Sequence, residues 1–473
     1  MMLVVVLFGL LVAFTSRWTV FEADSLRDNS ANRRPLLEEQ RIPRGRILAS
    51  DGRTVLAESF ATGSGSRRVF TRRYPEGTVF SHPIGYSFID RGRAGLERSR
   101  NDALTGESSE FATILDEITS AGREGDEVRT TLDPGGTRAA IQALGGRKGA
   151  VVALEPDTGR VRVMVSLPQF DPNQVPEGFA RLVRDSDAPL LNRATQSTYP
   201  PGSTMKVVTA VAAIDSGRYT PDSVVSGKSP KDISGVPLSN CCGEGTGNFG
   251  PLTLTQALTN SVNTVWAEVA EKLGRDTMVR YMKRFGFYED PPLDYPDAQL
   301  APSGVFNREG DLVDDGFDVG RVAIGQGGAE GQMRATPLQM AMVAGAVANR
   351  GKLMKPRLTE RIVRQDGRIR ERVEPEEASE VMKAETADRI KAMMAGVVSQ
   401  GTATAAQLPG GVAGKTGTAE VEAGENNQVW FIALAPLERP RYAIAVTVER
   451  SQGQGGSVAA PIAKQVLQSL LRG

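Results

Sequence analysis

Ser203-Thr204-Met205-Lys206 puts a hydroxyl and an amine three residues apart. On a helix, positions i and i+3 share a face, so the two groups can meet. Pro201 and Gly202 set Ser203 at or near a helix N-terminus, where a hydroxyl is exposed and the dipole favours a developing oxyanion. A serine is a weak nucleophile alone, and a lysine at its ordinary pKa of about 10.4 is a weak base at neutral pH. The pair works if burial or cationic neighbours hold the amine neutral, and Val207, Val208, Ala210 and Val211 offer an apolar setting. Of the 12 lysines, only Lys206 has a serine three residues before it. A capped helix with a solvated lysine is the alternative that this motif leaves open.

Two further patterns carry compatible chemistry. Ser261-Val262-Asn263 supplies a second hydroxyl to shuttle a proton and an amide to hold Lys206 and a substrate carbonyl. Ser30-Ala31-Asn32 fits that pattern equally well, so a plain helix surface stands beside this reading. Lys415-Thr416-Gly417-Thr418 offers a cation and hydroxyls suited to a terminal carboxylate, or a strand edge with no such role. Gly417 removes a side chain where a substrate backbone has to lie close. The backbone N–H groups of Ser203 and Thr418 are candidate oxyanion donors. The three motifs follow one another at spacings of 58 and 154 residues. Each falls on the element its chemistry needs: a helix start, a helix or its flank, and a strand. Together they point to an acyl-serine enzyme.

The elements that hold these residues follow from periodicity and turn chemistry. Residues 149–155 and 160–166 read as strands of a hairpin around Pro156-Asp157-Thr158-Gly159. Residues 203–217, 252–274 and 335–351 read as helices that stop at Gly217, Gly274 and Gly351. Residues 412–422, 428–436 and 441–450 read as three strands, and 458–472 as an amphipathic helix. A hairpin at one end and a meander at the other predict one antiparallel sheet with helices on it, an α+β fold. Upstream, residues 21–145 are rich in Arg and Gly, with a short hairpin over 44–59 turning at Asp51-Gly52.

Composition narrows the function. The 473 residues carry 56 basic and 56 acidic side chains, a balance that argues against nucleic-acid binding. A single histidine, His82, and two cysteines, Cys241 and Cys242, cannot assemble a usual zinc site, and a serine triad would have only His82 to recruit. The adjacent cysteines read as loop thiols, or as a vicinal or intermolecular disulfide. The chain opens on fourteen uncharged residues, about 21 Å of helix, and extension through Val20 approaches the roughly 30 Å of a bilayer core. Residues 1–20 are therefore expected to anchor the chain in a membrane, with a cleaved signal peptide or a core helix as alternatives. Arg17, Arg27, Arg33 and Arg34 follow the segment and no basic residue precedes it, which taken literally puts the body in the cytoplasm. A start upstream of Met1, with a basic leader, would remove that conflict.

The ordered set S-x-x-K, S-x-N, K-T-G resembles the active-site set of penicillin-binding proteins and serine β-lactamases. Over nearly its whole length the chain is similar to class B penicillin-binding proteins, the monofunctional peptidoglycan D,D-transpeptidases of the actinobacterial elongation or division type. PRGRILASDGRTVLAES, SHPIGY, GLERSRNDALTG, NRATQSTYPPGSTMK, IGQGG, ATPLQMA and GKTGTAE carry the likeness. The resemblance implies an antiparallel sheet with helices on both faces and a helical subdomain over residues 146–473, a non-catalytic pedestal over 21–145, and the anchor over 1–20. It makes Ser203 the nucleophile, Lys206 the base, and Ser261 and Asn263 the proton relay and substrate clamp. Lys415, Thr416, Gly417 and Thr418 then form the carboxylate site. Stem peptides and β-lactams are the implied ligands, and a polytopic glycosyltransferase in the membrane is the implied partner. No cofactor or metal is called for, and the catalytic part is expected outside the cytoplasm. A β-lactamase or carboxypeptidase using the same motifs, a non-catalytic scaffold and a β-lactam receptor remain as rival readings.

Overall fold

The computed structural model describes residues 4, 7–11, 14, 40–64, 68–106, 124–240, 247–328, 330–419 and 426–472. Most of the apolar segment over 1–20 lies outside these residues, as do Cys241 and Cys242. Among the described residues no helix is long and apolar enough to cross a membrane.

The span from residue 149 onward is organised by a five-stranded antiparallel sheet. Its order is Ala413–Ala419, Asn427–Ala435, Tyr442–Ser451, Gly149–Leu154, Val161–Leu167. The expected hairpin and meander therefore share one sheet, joined where Ala443 pairs with Leu154 and Val446 with Val151. The run Gly149–Leu154 is buried at every position, as expected of a strand covered on both faces. Helix Pro337–Ala348 lies on one face: a Cβ at Gly345 would sit 3.1 Å from Leu154. Helices Pro134–Leu144 and Ala459–Arg472 lie on the other, where Gly136 meets Val163 and Leu470. All twelve residues of Pro337–Ala348 are buried: it is apolar but for Gln339, which donates to Phe285 O, and besides the sheet it packs against helix Ala384–Ser399. Ala459–Arg472 buries only Ala459, Ala460, Ile462, Ala463, Val466, Leu467 and Leu470, the stripe its 3.6-residue period presents.

A group of helices packs beside this sheet. Lys206–Asp215 contacts Asn263–Leu273, Arg275–Arg284 and Ala384–Ser399. The single helix expected over 252–274 is broken into Leu254–Thr259 and Asn263–Leu273. Ser261, at the break, adopts φ +58°, a left-handed conformation that no α-helix continues through.

A second sheet has six strands in the order Ile369–Arg372, Thr359–Val363, Glu127–Thr130, Ile47–Leu48, Val55–Thr62, Val69–Arg73. The hairpin at Asp51-Gly52 forms as its residues dictate: Asp51 Oδ1 accepts from the N–H groups of Arg53 and Thr54, each 2.9 Å away, and Gly52 takes φ +65°. Two strands from 359–372 complete this sheet, so its hydrogen bonds tie the amino-terminal strands to the later part of the chain. Beneath it Glu97, fully buried, accepts from Arg44 Nη2 at 2.9 Å and from Arg72 Nε. Burial pushes the Glu97 carboxyl up, but the two guanidiniums outweigh it and hold the group below its ordinary range.

Candidate active site

Ser203 is delivered by Tyr199-Pro200-Pro201-Gly202. Gly202–Met205 forms a 3-10 turn, and the α-helix begins only at Lys206. The α-helix expected from Ser203 onward is thus wound tighter at its start, with the Lys206 N–H donating to Ser203 O. In a 3-10 turn residues i and i+3 eclipse each other, which stacks Lys206 over Ser203 more directly than α geometry would. Ser203 is half-buried, while Lys206 has no exposed surface.

Lys206 Nζ donates to Ser261 O at 2.7 Å, to Asn263 Oδ1 at 2.6 Å and to Ser261 Oγ at 3.3 Å. The left-handed turn at Ser261 is what aims both its carbonyl and its hydroxyl at one amine. Asn263 begins the next helix and donates through Nδ2 to Ser239 O at 3.3 Å. Asn240 Oδ1 accepts from the Thr264 N–H at 2.9 Å. Ser239 and Asn240 therefore pack on the second motif.

Lys415 is also fully buried and donates to Ser261 Oγ at 2.9 Å and to Thr416 O at 3.0 Å. Its amine addresses the second motif's hydroxyl. Thr416 Oγ1 lies 2.6 Å from Thr402 Oγ1, and Thr418 Oγ1 accepts from the Gly455 N–H at 3.2 Å. Gly417 has a cause different from the expected approach of substrate. A Cβ there would lie 2.6 Å from Pro201 O and 3.0 Å from Thr204 Cγ2, so the protein's own turn around Ser203 fills the space. The fit is reciprocal: Gly202, at φ +52°, would place a Cβ 2.9 Å from Thr418 O and 3.2 Å from Thr418 N. The segments carrying the two candidate oxyanion amides are thus in backbone contact.

All three motifs meet: Lys206, Ser261, Asn263 and Lys415 share hydrogen bonds, and Gly417 and Thr418 abut the turn that holds Ser203. Lysines, hydroxyls and an amide suit acyl transfer through a serine ester. His82 is occupied elsewhere, with Nε2 2.9 Å from Pro189 O and its ring edge-on to Phe170. No group of three or more His, Cys, Asp or Glu side chains suited to a metal occurs among the described residues.

Some partners were not legible in advance. Thr402 lies 14 residues from Thr416 in a segment without a motif, and only the closed fold brings the two hydroxyls together. Trp430 donates from Nε1 to Pro200 O at 2.9 Å, and its signal in sequence was merely an aromatic on a buried strand.

Comparison with known proteins agrees with this geometry. Residues 149–468 match the penicillin binding protein transpeptidase domain, and residues 44–128 the penicillin binding protein A dimerisation domain. The chain is similar to the peptidoglycan D,D-transpeptidase PbpA of Mycolicibacterium smegmatis, at 33% identity over 99% of this chain and 97% of that protein. Its structure is similar to penicillin-binding protein A from M. tuberculosis in a ceftriaxone acyl-enzyme complex. That likeness has a TM-score of 0.80 at 30% identity, covering 92% of this chain and 100% of that one. The D,D-transpeptidase domain of a peptidoglycan glycosyltransferase from Eggerthella lenta gives a TM-score of 0.79 at 32% identity, over 91% and 99% of the two chains.

Proposed function

The chain belongs to the penicillin-binding protein family, and from that premise we propose that it crosslinks peptidoglycan with Ser203 as the acylated residue. It is a class B member and a peptidoglycan D,D-transpeptidase, a serine acyltransferase that β-lactams acylate.

Ser203 Oγ attacks the carbonyl of the penultimate D-Ala of a stem peptide and passes its proton to Lys206, whose neutral form keeps two N–H bonds, to Ser261 O and Asn263 Oδ1, and turns its lone pair to Ser203. The N–H groups of Ser203 and Thr418 stabilise the oxyanion that forms. Collapse breaks the peptide bond. The departing D-Ala amine takes up a proton relayed through Lys206 and Ser261, leaving an ester on Ser203. The amine of a second stem then attacks the ester, forms the crosslink and returns the proton to Ser203. Asn263 holds the substrate amide, while Lys415, Thr416 and Thr418 secure the donor's terminal carboxylate around Gly417. What supports these roles is the meeting of the Lys206 and Lys415 amines on Ser261, one turn from Ser203.

The test is covalent labelling by a fluorescent penicillin followed by peptide mass spectrometry. A persistent adduct on Ser203 that is absent from Ser203→Ala is expected. Labelling that survives the substitution would overturn the assignment.

Residues 1–20 anchor the chain, residues 21–145 raise the catalytic part as a pedestal, except that their last helix, Pro134–Leu144, packs on the catalytic sheet, and residues 146–473 work on the extracytoplasmic side, where stem peptides lie. A polytopic membrane glycosyltransferase supplies the nascent strands. The amino-terminal apolar run supports the anchor. Protease accessibility in intact spheroplasts, compared with lysed ones, checks the orientation, and crosslinking in membranes checks the partner.

A further inference from the structure

One carboxylate outside the three motifs is bound to the run that delivers the nucleophile. Glu449, near the end of strand Tyr442–Ser451, accepts through Oε1 from Tyr199 OH at 2.6 Å and from Arg193 Nε at 2.8 Å. Arg193 is itself buried and donates onward to the carbonyls of Asp187 at 2.8 Å and Ala188 at 3.2 Å. An ionised acceptor shared by a guanidinium and a phenol makes stronger, better-directed bonds than a neutral one. Burial, then the charge of Glu449, drives the Tyr199 hydroxyl far above its ordinary range, so it remains a donor.

Tyr199 is fixed at three other points. Its backbone exchanges hydrogen bonds with Ala335 at 3.0 and 2.8 Å, and its ring stands edge-on to Trp430 with centroids 6.1 Å apart. Trp430 in turn holds Pro200 O. Between Tyr199 and Ser203 lie two prolines, whose φ is set by the ring, and Gly202, whose N–H donates to Gly325 O at 3.0 Å. Few rotatable bonds therefore separate the phenol from the nucleophile.

We propose that Glu449, acting through Tyr199 and braced by Arg193, is a positioning residue that sets the attack geometry of Ser203 without touching substrate. Displacements well under 1 Å suffice to slow such a reaction. The inference rests on acylation at Ser203, and the experiment separates the two.

Full-length protein in detergent is mixed with a fluorescent penicillin in stopped flow. Saturation then resolves the limiting acylation rate from the dissociation constant of the non-covalent complex. Tyr199→Phe, which removes one oxygen and keeps the ring, and Glu449→Ala are expected to lower the limiting rate about tenfold. The dissociation constant should stay within about twofold of wild type. Glu449→Gln, which keeps an acceptor oxygen, should recover most of the rate. An unchanged rate in Tyr199→Phe, or a loss of rate matched by equal loss of non-covalent binding, overturns the proposal. So does an absence of rescue by Gln. Should Glu449→Ala fail to fold, Tyr199→Phe alone decides. A wild-type protein that takes no label at Ser203 would instead sink the acyl-serine reading.

Discussion

Lys206 and Lys415 donate to the same oxygen: Ser261 Oγ lies 3.3 Å from one amine and 2.9 Å from the other. A hydroxyl has two lone pairs and one proton. With both lone pairs engaged, the proton is left for a third partner, which is what a relay to a departing amine requires.

Ser261→Gly tests the proposed relay apart from the backbone that carries it. Glycine adopts φ +58° without strain, so the Ser261 carbonyl should keep its bond to Lys206 and stability should stay within about 1 kcal/mol of wild type. Penicillin acylation should nevertheless fall by about 10²-fold, measured by stopped-flow labelling. Wild-type acylation by a well-folded Ser261→Gly would remove the hydroxyl from the mechanism.

Gly417→Ala tests the contact between strand and catalytic turn. The added methyl would press on Pro201 O, a backbone atom that cannot swing aside. We expect destabilisation of about 1–3 kcal/mol by urea denaturation. Acylation of the folded fraction should fall as well, because the turn carrying Ser203 is displaced. A neutral outcome on both counts would mean the turn has slack that the close approach does not suggest.

Glu97→Ala strands Arg44 and Arg72 in the interior without their carboxylate. Removing one partner of a buried ion cluster costs about 3–5 kcal/mol. Denaturant titration should register a loss of that order, together with little change in the penicillin dissociation constant of the protein that remains folded. A loss below about 1 kcal/mol would show that the two arginines find other acceptors.

His82 gives the fold a pH dependence of its own. Burial lowers its pKa from 6.5 to about 4, with Arg193 adding to the effect and the bond to Pro189 opposing it. Between those values the unfolded chain holds a proton that the folded chain does not. Stability should therefore rise with pH across this window and be lost as pH falls from about 6.5 to about 4. The whole shift corresponds to about 3 kcal/mol. His82→Gln, whose amide can still donate to Pro189 O, should flatten the slope by about one proton, as read from urea midpoints at successive pH values. Superimposable slopes for the two proteins would refute the assignment.

Much of the site could be read from local chemistry. The S-x-x-K, S-x-N and K-T-G patterns, the turn at Asp51-Gly52 and the strands of the catalytic sheet all rest on spacing of a few residues. Where local reading failed, it failed for a long-range reason. The run over 252–274 has helical composition throughout, but the positive φ at Ser261 interrupts it. That same conformation turns the Ser261 carbonyl and hydroxyl to Lys206, 55 residues earlier. Likewise nothing local in 359–372 marks its pairing with Glu127–Thr130, more than 200 residues earlier.

The sequence by itself determined which groups are available and on which kinds of element they sit, because periodicity, caps and turn residues act over one or two turns of chain. Only the tertiary structure decided that two buried lysines converge on one hydroxyl, that Gly417 makes room for Pro201, and that Glu449 holds Tyr199 from 250 residues away. Those relations depend on which surfaces pack together, and packing is set by the whole buried core, not by any short stretch of chain.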